Sequence, residues 1–455
     1  MFLVIAALAG VLVSMNGCAG GNSTGVTLPK VQHVVIIFQE NRSTDNLFQD
    51  PVLIARNADI AQSGVASTGQ IVPLGQVDMA PAYDLAHNHK AFVSMFDGGK
   101  MDGADLIPIA CDPGQVGCPP SPPLTYPQFM YVNPAEVQPY FQLAEQYTFG
   151  DRMFQTNQGP SFPAHQFIIS GTSAPTATSN LFAAENVSPG TSVGCIAPAG
   201  SLVKLIDPTG NESSSQYPCF EHPTLTDLLD AQGVSWRYYA PSAGSIWTGP
   251  DAIQHICQPQ TQNGQLVCTG SDWTNNVVVP PRGGPAQVLT DIANNQLARV
   301  SWVIPDGKYS DHAGLTDGSG PAWVASIVNA IGNSAYWPNT TIIITWDDWG
   351  GWYDHVPPQI VNSYEYGFRV PLIVVSPYAR ASYISHVTHD FGSILKLIEE
   401  TYGLPSLGYA DAAADDFSDC FNFTQTPLPF HTIAAPLSAE HFLNDRRPPT
   451  DPDDD

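Results

Sequence analysis

The chain carries a series of short, unbroken apolar runs set between polar, Pro- and Gly-rich connections. Val31–Phe38, Val234–Tyr239, Val300–Ile304, Thr341–Trp346 and Val370–Val375 have strand length. Runs such as VVIIF and TIIITW, with no polar residue on alternate positions, suit strands buried on both faces of a parallel sheet. Between these runs lie candidate helices: Val137–Gln146, Phe162–Ser170, Thr224–Gln232, Ala322–Ile331 and Asp390–Tyr402. The last has Phe391, Ile394, Leu395 and Ile398 on one face and Gly403 as its stop. The alternation predicts an α/β fold.

Two of the strand candidates end in chemistry. Glu40 and Asn41 follow VVIIF, and the doublet Asp347-Asp348 follows TIIITW. Open α/β sheets place their sites at such carboxyl ends. Taken alone, either end also reads as a turn or a helix N-cap. If the two ends are neighbours, three carboxylates and an amide oxygen meet, and a cation makes that grouping favourable. Oxygen ligands point to one hard divalent ion, Ca²⁺, Mg²⁺ or Mn²⁺, with iron also compatible.

Ser161 follows the turn Gly159-Pro160 and opens the apolar segment Phe162–Ile169. It has two readings that its local sequence leaves open. It is an N-cap, or a nucleophile where helix-end N–H groups favour a phosphoryl group. The absence of a GxSxG elbow argues against an α/β-hydrolase esterase. His87, His89, His255, His312 and His355 lie in loops with aspartate or backbone partners nearby, where an imidazole can be oriented.

Composition narrows the partners. Sixteen Lys+Arg against 42 Asp+Glu give a net charge of −26 over 455 residues, which disfavours nucleic acid. Residues 1–17 read as a signal peptide, with an apolar stretch, Phe2–Val13, too short to span a bilayer. Cys18 follows a degenerate lipoprotein box, so lipidation there and a membrane tether over residues 18–30 are expectations. Six further cysteines fall into three sequence-local pairs, Cys111/Cys118, Cys195/Cys219 and Cys257/Cys268, which read as disulfides stapling long loops, although six cysteines allow about 15 pairings and the connectivity stays open. Cys420 is left over. No CxxC occurs, which argues against a cysteine zinc site. The tail RRPPTDPDDD reads as disordered.

The stretches HVVIIFQENRSTDNLF, HNHKAFVSMFDGGKMDG, FQTNQGPSFPAHQFIISGT, HPTLTDLLDAQGVSWRYYAP, SWVIPDGKYSDHAG, TWDDWGGWYDHVPP and FRVPLIVVSPYA, in this order, resemble a bacterial phosphoesterase family. That family includes phosphatidylcholine-preferring phospholipases C and a group of acid phosphatases. The resemblance implies an alkaline-phosphatase-like α/β/α sandwich with a mostly parallel central sheet over residues 31–425. A disulfide-stapled, cap-like insertion is expected at about 180–275 and a tail at 426–455. It implies Glu40, Asn41, Asp347, Asp348 and Ser161 as metal ligands, with Ser161 the nucleophile. His87 and His312 correspond to phosphate-contacting or proton-transferring histidines, with Asn41 also facing phosphate. His255 is the match for a third histidine, His222 competes for that place, and His355 is a further candidate.

The expected activity is therefore an exported, metal-dependent hydrolase of phosphate esters, either a phosphomonoesterase or a phospholipase C type. Trp247, Trp273, Trp349, Trp352 and Tyr353 offer an aromatic surface for acyl chains, or simply packing. A non-catalytic, surface-tethered binding protein that keeps the metal for structure is the alternative.

Overall fold

The computed structural model describes residues 30–111, 117–190, 192–279 and 284–450. The expected signal peptide, Cys18 and nearly all of the tether lie outside the described residues. At the centre is an eight-stranded sheet. Its strands are β1 (His33–Gln39), β2 (Thr148–Gly150), β3 (Trp236–Tyr239), β4 (Val277–Val278), β5 (Val300–Val303), β6 (Thr340–Trp346), β7 (Leu372–Val375) and β8 (Tyr383–Ser385). The spatial order is β4-β3-β5-β1-β6-β7-β2-β8. Only β7 runs against the others. The loop leaving β6 stays at the carboxyl edge, so β7 has to start there and run back.

All five apolar runs become sheet strands, within a few residues at their ends. The missed strands β2, β4 and β8 have two or three residues each, too few to show a period. The five candidate helices also form, among them α1 (Gln138–Gln146), α2 (Ser161–Ser170), α3 (Leu225–Ala231), α5 (Gly320–Gly332) and α6 (Phe391–Tyr402), with α4 (Gly284–Ala293) and α7 (Ala439–Asn444) in addition. Phe38 of β1 meets His165 of α2 and Phe391 of α6 edge-on, at ring-centroid distances of 5.0 Å each. On the opposite face Trp346 of β6 packs edge-on against Tyr140 of α1 at 5.1 Å. Helices α4, α5 and α7 pack in contact with one another, and α5 also packs on α1. The result is a mixed α/β sandwich. Its β1, β5 and β6 are wholly buried apart from His33, as their unbroken apolar character requires.

Two expectations are revised. The stretch 180–275 is not one inserted block, because β3 within it joins the central sheet. Residues 446–450 of the tail are ordered onto the body: Arg447 pairs with Asp317 and Asp445, and Lys308 donates to the Pro448 carbonyl. Residues 451–455 lie outside the described residues. Disulfides join Cys111 to Cys118, Cys195 to Cys219 and Cys257 to Cys268.

Candidate active site

Strands β1 and β6 are parallel neighbours with Gln39 opposite Trp346, so their carboxyl ends lie side by side. The Asp347 N–H donates to the Gln39 carbonyl at 2.9 Å, and the Asn41 N–H donates to Asp347 Oδ1 at 2.9 Å. Asn41 reaches this point by a left-handed turn, φ +59°. Gly350, at φ +62°, lies so close that a Cβ there would meet the Asn41 carbonyl oxygen at 2.2 Å. That contact explains one glycine of DDWGGWYDH. The second aspartate of the doublet is held too, since Asp348 Oδ1 accepts from the Gly350 N–H at 2.7 Å.

Helix α2 brings Ser161 to the same place. Its N-cap is Pro160, and the Phe162 N–H is taken by Asn186 Oδ1 at 3.0 Å. Ser161 is thus the first helical residue rather than the cap, which removes the capping reading. Its hydroxyl donates instead to Asp348 Oδ2 at 3.4 Å. Asn157 Nδ2 fixes the preceding turn by donating to the Gly159 and Pro160 carbonyls.

The carboxylates are buried and poorly compensated. Glu40 Oε2, Asp347 Oδ2 and the Asn41 amide oxygen have no hydrogen-bond partner among the described residues. Burial, then the charges of Asp347 and Asp348, push the Glu40 carboxyl well above its usual range. Burial and Asp347 push Asp348 up likewise. Orphaned oxygens of this kind are costly unless a cation meets them. The donor set fits a hard divalent ion held by Glu40, Asn41, Asp347 and Asp348.

A further member escaped the sequence reading. His165, one turn beyond Ser161 on α2, is fully buried with Nε2 at 3.2 Å from Glu40 Oε1. Burial drives it down to about 4, so the ring is neutral. The Tyr238 hydroxyl donates to the Trp247 carbonyl at 2.9 Å and sits 3.1 Å from His165 Nδ1. The ring proton then belongs on Nδ1, and the Nε2 lone pair faces Glu40 and Asp347. Two acceptors in contact again ask for a cation or a proton between them. The four-residue spacing of Ser161 and His165 on one helical face was the available signal.

His87 and His312 border the cluster. His87 Nδ1 bonds the Leu85 carbonyl at 2.8 Å, so Nε2 accepts from Asn41 Nδ2 at 3.1 Å. His312 Nδ1 bonds the Ala313 carbonyl at 2.7 Å, and the two imidazole centroids are 5.8 Å apart. Gln39 sets this loop in place. It donates to the Tyr309 carbonyl and accepts from the Asp311 N–H at 3.0 Å. Asp311 is an anchor, accepting from Tyr140 at 2.8 Å and from Trp346 at 2.9 Å.

The remaining histidines go elsewhere. His255 sits between Glu221, at 2.9 Å, and Asp227 of α3, at 3.2 Å, and is raised to about 9 chiefly by Asp227. His222 Nδ1 bonds the Pro223 carbonyl. Neither hydrogen-bonds to any member of the carboxylate cluster. His89 pairs with Glu212. His355 pairs with Asp45 at 2.6 Å and Asp59 at 2.9 Å, in a network centred on Arg369. The five aromatic residues expected as a possible acyl surface are all buried, and Trp247, Trp349 and Trp352 have no exposed area at all. They are packing.

The family model described as Phosphoesterase family matches residues 31–405. The chain belongs to that family. Among its relatives, a hemolytic phospholipase C of Pseudomonas aeruginosa is 24% identical over 87% of this chain and 56% of its own length. Phospholipase C B of Mycobacterium tuberculosis is 24% identical over 88% of this chain and 80% of its own. This family member therefore spans little more than half of the Pseudomonas protein. A solved structure of a protein in the alkaline phosphatase superfamily from Vibrio parahaemolyticus covers 86% of this chain and 72% of its own, at 12% identity and a TM-score of 0.37. That likeness is too distant to carry a functional argument.

Proposed function

We propose that this family member is an exported, metal-dependent phosphoesterase that uses Ser161 as nucleophile. The observation that carries the reading is the Ser161 hydroxyl, 3.4 Å from Asp348 Oδ2, at the edge of a buried cluster with orphaned acceptor oxygens. A hard divalent ion bound by Glu40, Asn41, Asp347 and Asp348 would supply charge neutralisation and lower the hydroxyl pKa. Asp348 holds the hydroxyl in place for attack. The Ser161 hydroxyl gives its proton to solvent, Oγ forms a bond to phosphorus as the bond to the leaving oxygen breaks, and His312, as an imidazolium, gives that oxygen its Nε2 proton. Water then attacks the phosphoserine and frees Ser161. In this reading Asn41, through the second N–H of Nδ2, and His87, once protonated at Nε2 and turned from Asn41, would meet the phosphoryl oxygens.

The relatives named phospholipase C favour a phosphodiester with an uncharged or zwitterionic remainder, as does the acidic surface. A phosphomonoester is the second reading. It is favoured by the burial of the aromatic residues that could have lined an acyl surface. Purified full-length protein assayed on p-nitrophenyl phosphate, p-nitrophenylphosphorylcholine and phosphatidylcholine vesicles separates the two. Hydrolysis of the choline diester and the vesicles supports the first reading. Hydrolysis of the monoester alone supports the second. Metal-replete protein inert on all three leaves the non-catalytic binder.

A further inference from the structure

A second group of ligand-bearing side chains lies at the edge strand β8, apart from the serine and its carboxylates. Cys420 is the one cysteine among the described residues outside a disulfide, and it is fully buried. Its sulfur is 3.9 Å from His389 Nε2 and 3.5 Å from Asp419 Oδ1. The third side of this triangle, His389 Nε2 to Asp419 Oδ1, is 3.6 Å. With bonds of about 2.3 Å to sulfur, 2.0–2.1 Å to nitrogen and 2.0–2.2 Å to oxygen, the edges of a zinc tetrahedron come to about 3.3–3.6 Å. The three side chains therefore already stand at nearly the separations that one ion would impose.

Their supports point the same way. His389 Nδ1 lies 3.0 Å from Asp415 Oδ1, close but without hydrogen-bond alignment, and Nε2 faces Cys420 Sγ and Ser385 Oγ. A carboxylate behind a ligating imidazole is a recurrent way of orienting it. Ser385 Oγ completes the ring, 2.5 Å from Asp419 Oδ2 and 3.2 Å from His389 Nε2. His389 is wholly buried and Asp419 one-fifth exposed, which leaves an approach from solvent. Phe417, in the left-handed region at φ +58°, stacks on His389 and folds residues 415–420 back onto it.

We propose that Cys420, His389 and Asp419 form a second cation site, for a borderline-soft divalent ion such as Zn²⁺, with Ser385 or water in the fourth position. Binding replaces the thiol proton, released to solvent, by a metal–sulfur bond. The ion would tie residues 415–420 to the loop that enters α6, and its role is structural. No CxxC marks it, because the histidine and the Asp-Cys pair come from separate segments. The inference is independent of the reading of Ser161.

The test uses Co²⁺ on full-length protein in a Cys18→Ser background, first stripped of metal by a chelator. A sulfur-to-cobalt charge-transfer band in the near ultraviolet should appear, and Zn²⁺ should displace it. It should vanish in Cys420→Ser and persist in Asp347→Asn, because the carboxylate cluster holds no thiol. Added Zn²⁺ should also raise the melting temperature of the stripped Asp347→Asn protein. Folded protein that binds Co²⁺ without that band has metal at the carboxylate cluster alone, and Cys420 is then a hydrogen-bonded thiol, which overturns the proposal. A band that survives Cys420→Ser overturns it equally. Should Cys420→Ser fail to fold, the band in the unsubstituted site and its displacement by Zn²⁺ still decide.

Discussion

The same two segments, ENRSTD and DDWGGWYDH, build two acidic clusters that differ in one respect. Around Asp45 and Asp354 the negative charge is answered. The Arg369 guanidinium donates to Asp354 Oδ1 at 2.8 Å, to Asp354 Oδ2 and Asp45 Oδ1 at 3.1 Å each, and to the Asp59 and Asp151 carbonyls at 2.8 Å each. That uses all five of its N–H groups. Around Glu40, Asp347 and Asp348 no arginine or lysine among the described residues hydrogen-bonds to the carboxylates, and acceptor oxygens are left over. A few residues along each strand end, one cluster is finished by the protein and the other is left for a ligand. Both offer groups that could hold a metal, so acidity alone does not distinguish them. Compensation does.

The largest effect expected is at the uncompensated cluster. Ser161→Ala should lower turnover by several orders of magnitude while the fold and bound metal persist. Quenched wild-type protein should carry phosphate on Ser161. Near wild-type turnover in the variant would instead make water the nucleophile. Asp347→Ala should lose both metal, by elemental analysis, and activity. Loss of a like charge and loss of the acceptor for the Asn41 N–H act in opposite directions, so the metal-free variant should melt close to metal-free wild type.

Arg369→Met should do the opposite. Removing the cation leaves Asp354 buried without a countercharge and Asp45 with His355 alone, at a cost of about 3–5 kcal/mol in denaturant unfolding. Metal content of the protein that stays folded should be unchanged. Equal loss of metal in both variants would mean that the two clusters are one unit.

A subtler contrast is in pH. Against the opposing pull of burial, the hydrogen bond and charge of Asp45 hold His355 up to about 9. With an unfolded value near 6.5, its contribution to stability is complete below about pH 6.5 and is lost as pH rises through about 9. The difference in melting temperature between wild type and His355→Gln should therefore shrink across that window. A difference independent of pH would show that His355 contributes packing only.

The smallest effect belongs to His255→Ala. It removes a partly exposed pair worth about 0.2–1 kcal/mol, and turnover should not change. A large drop in turnover there would restore His255 to the phosphate site.

By itself the sequence determined the five longest-signalled strands, the helices between them and the two strand ends on which Glu40, Asn41 and the Asp347-Asp348 doublet stand. Strand-length apolar runs and turn residues are local features, legible one segment at a time. It also showed three sequence-local cysteine pairs, with the connectivity left open, and a charge balance that disfavours nucleic acid. The tertiary structure decided what depends on distance between segments. It placed β7 antiparallel, recruited Thr148–Gly150 and Tyr383–Ser385 to the sheet, and turned the tail onto the body. It set His165 beside Glu40 and sent His255 and His355 to carboxylates outside the Ser161 cluster. A histidine next to an aspartate in sequence carries no record of which carboxylate it will face. That is fixed by how the strands order and how much charge each cluster has already found.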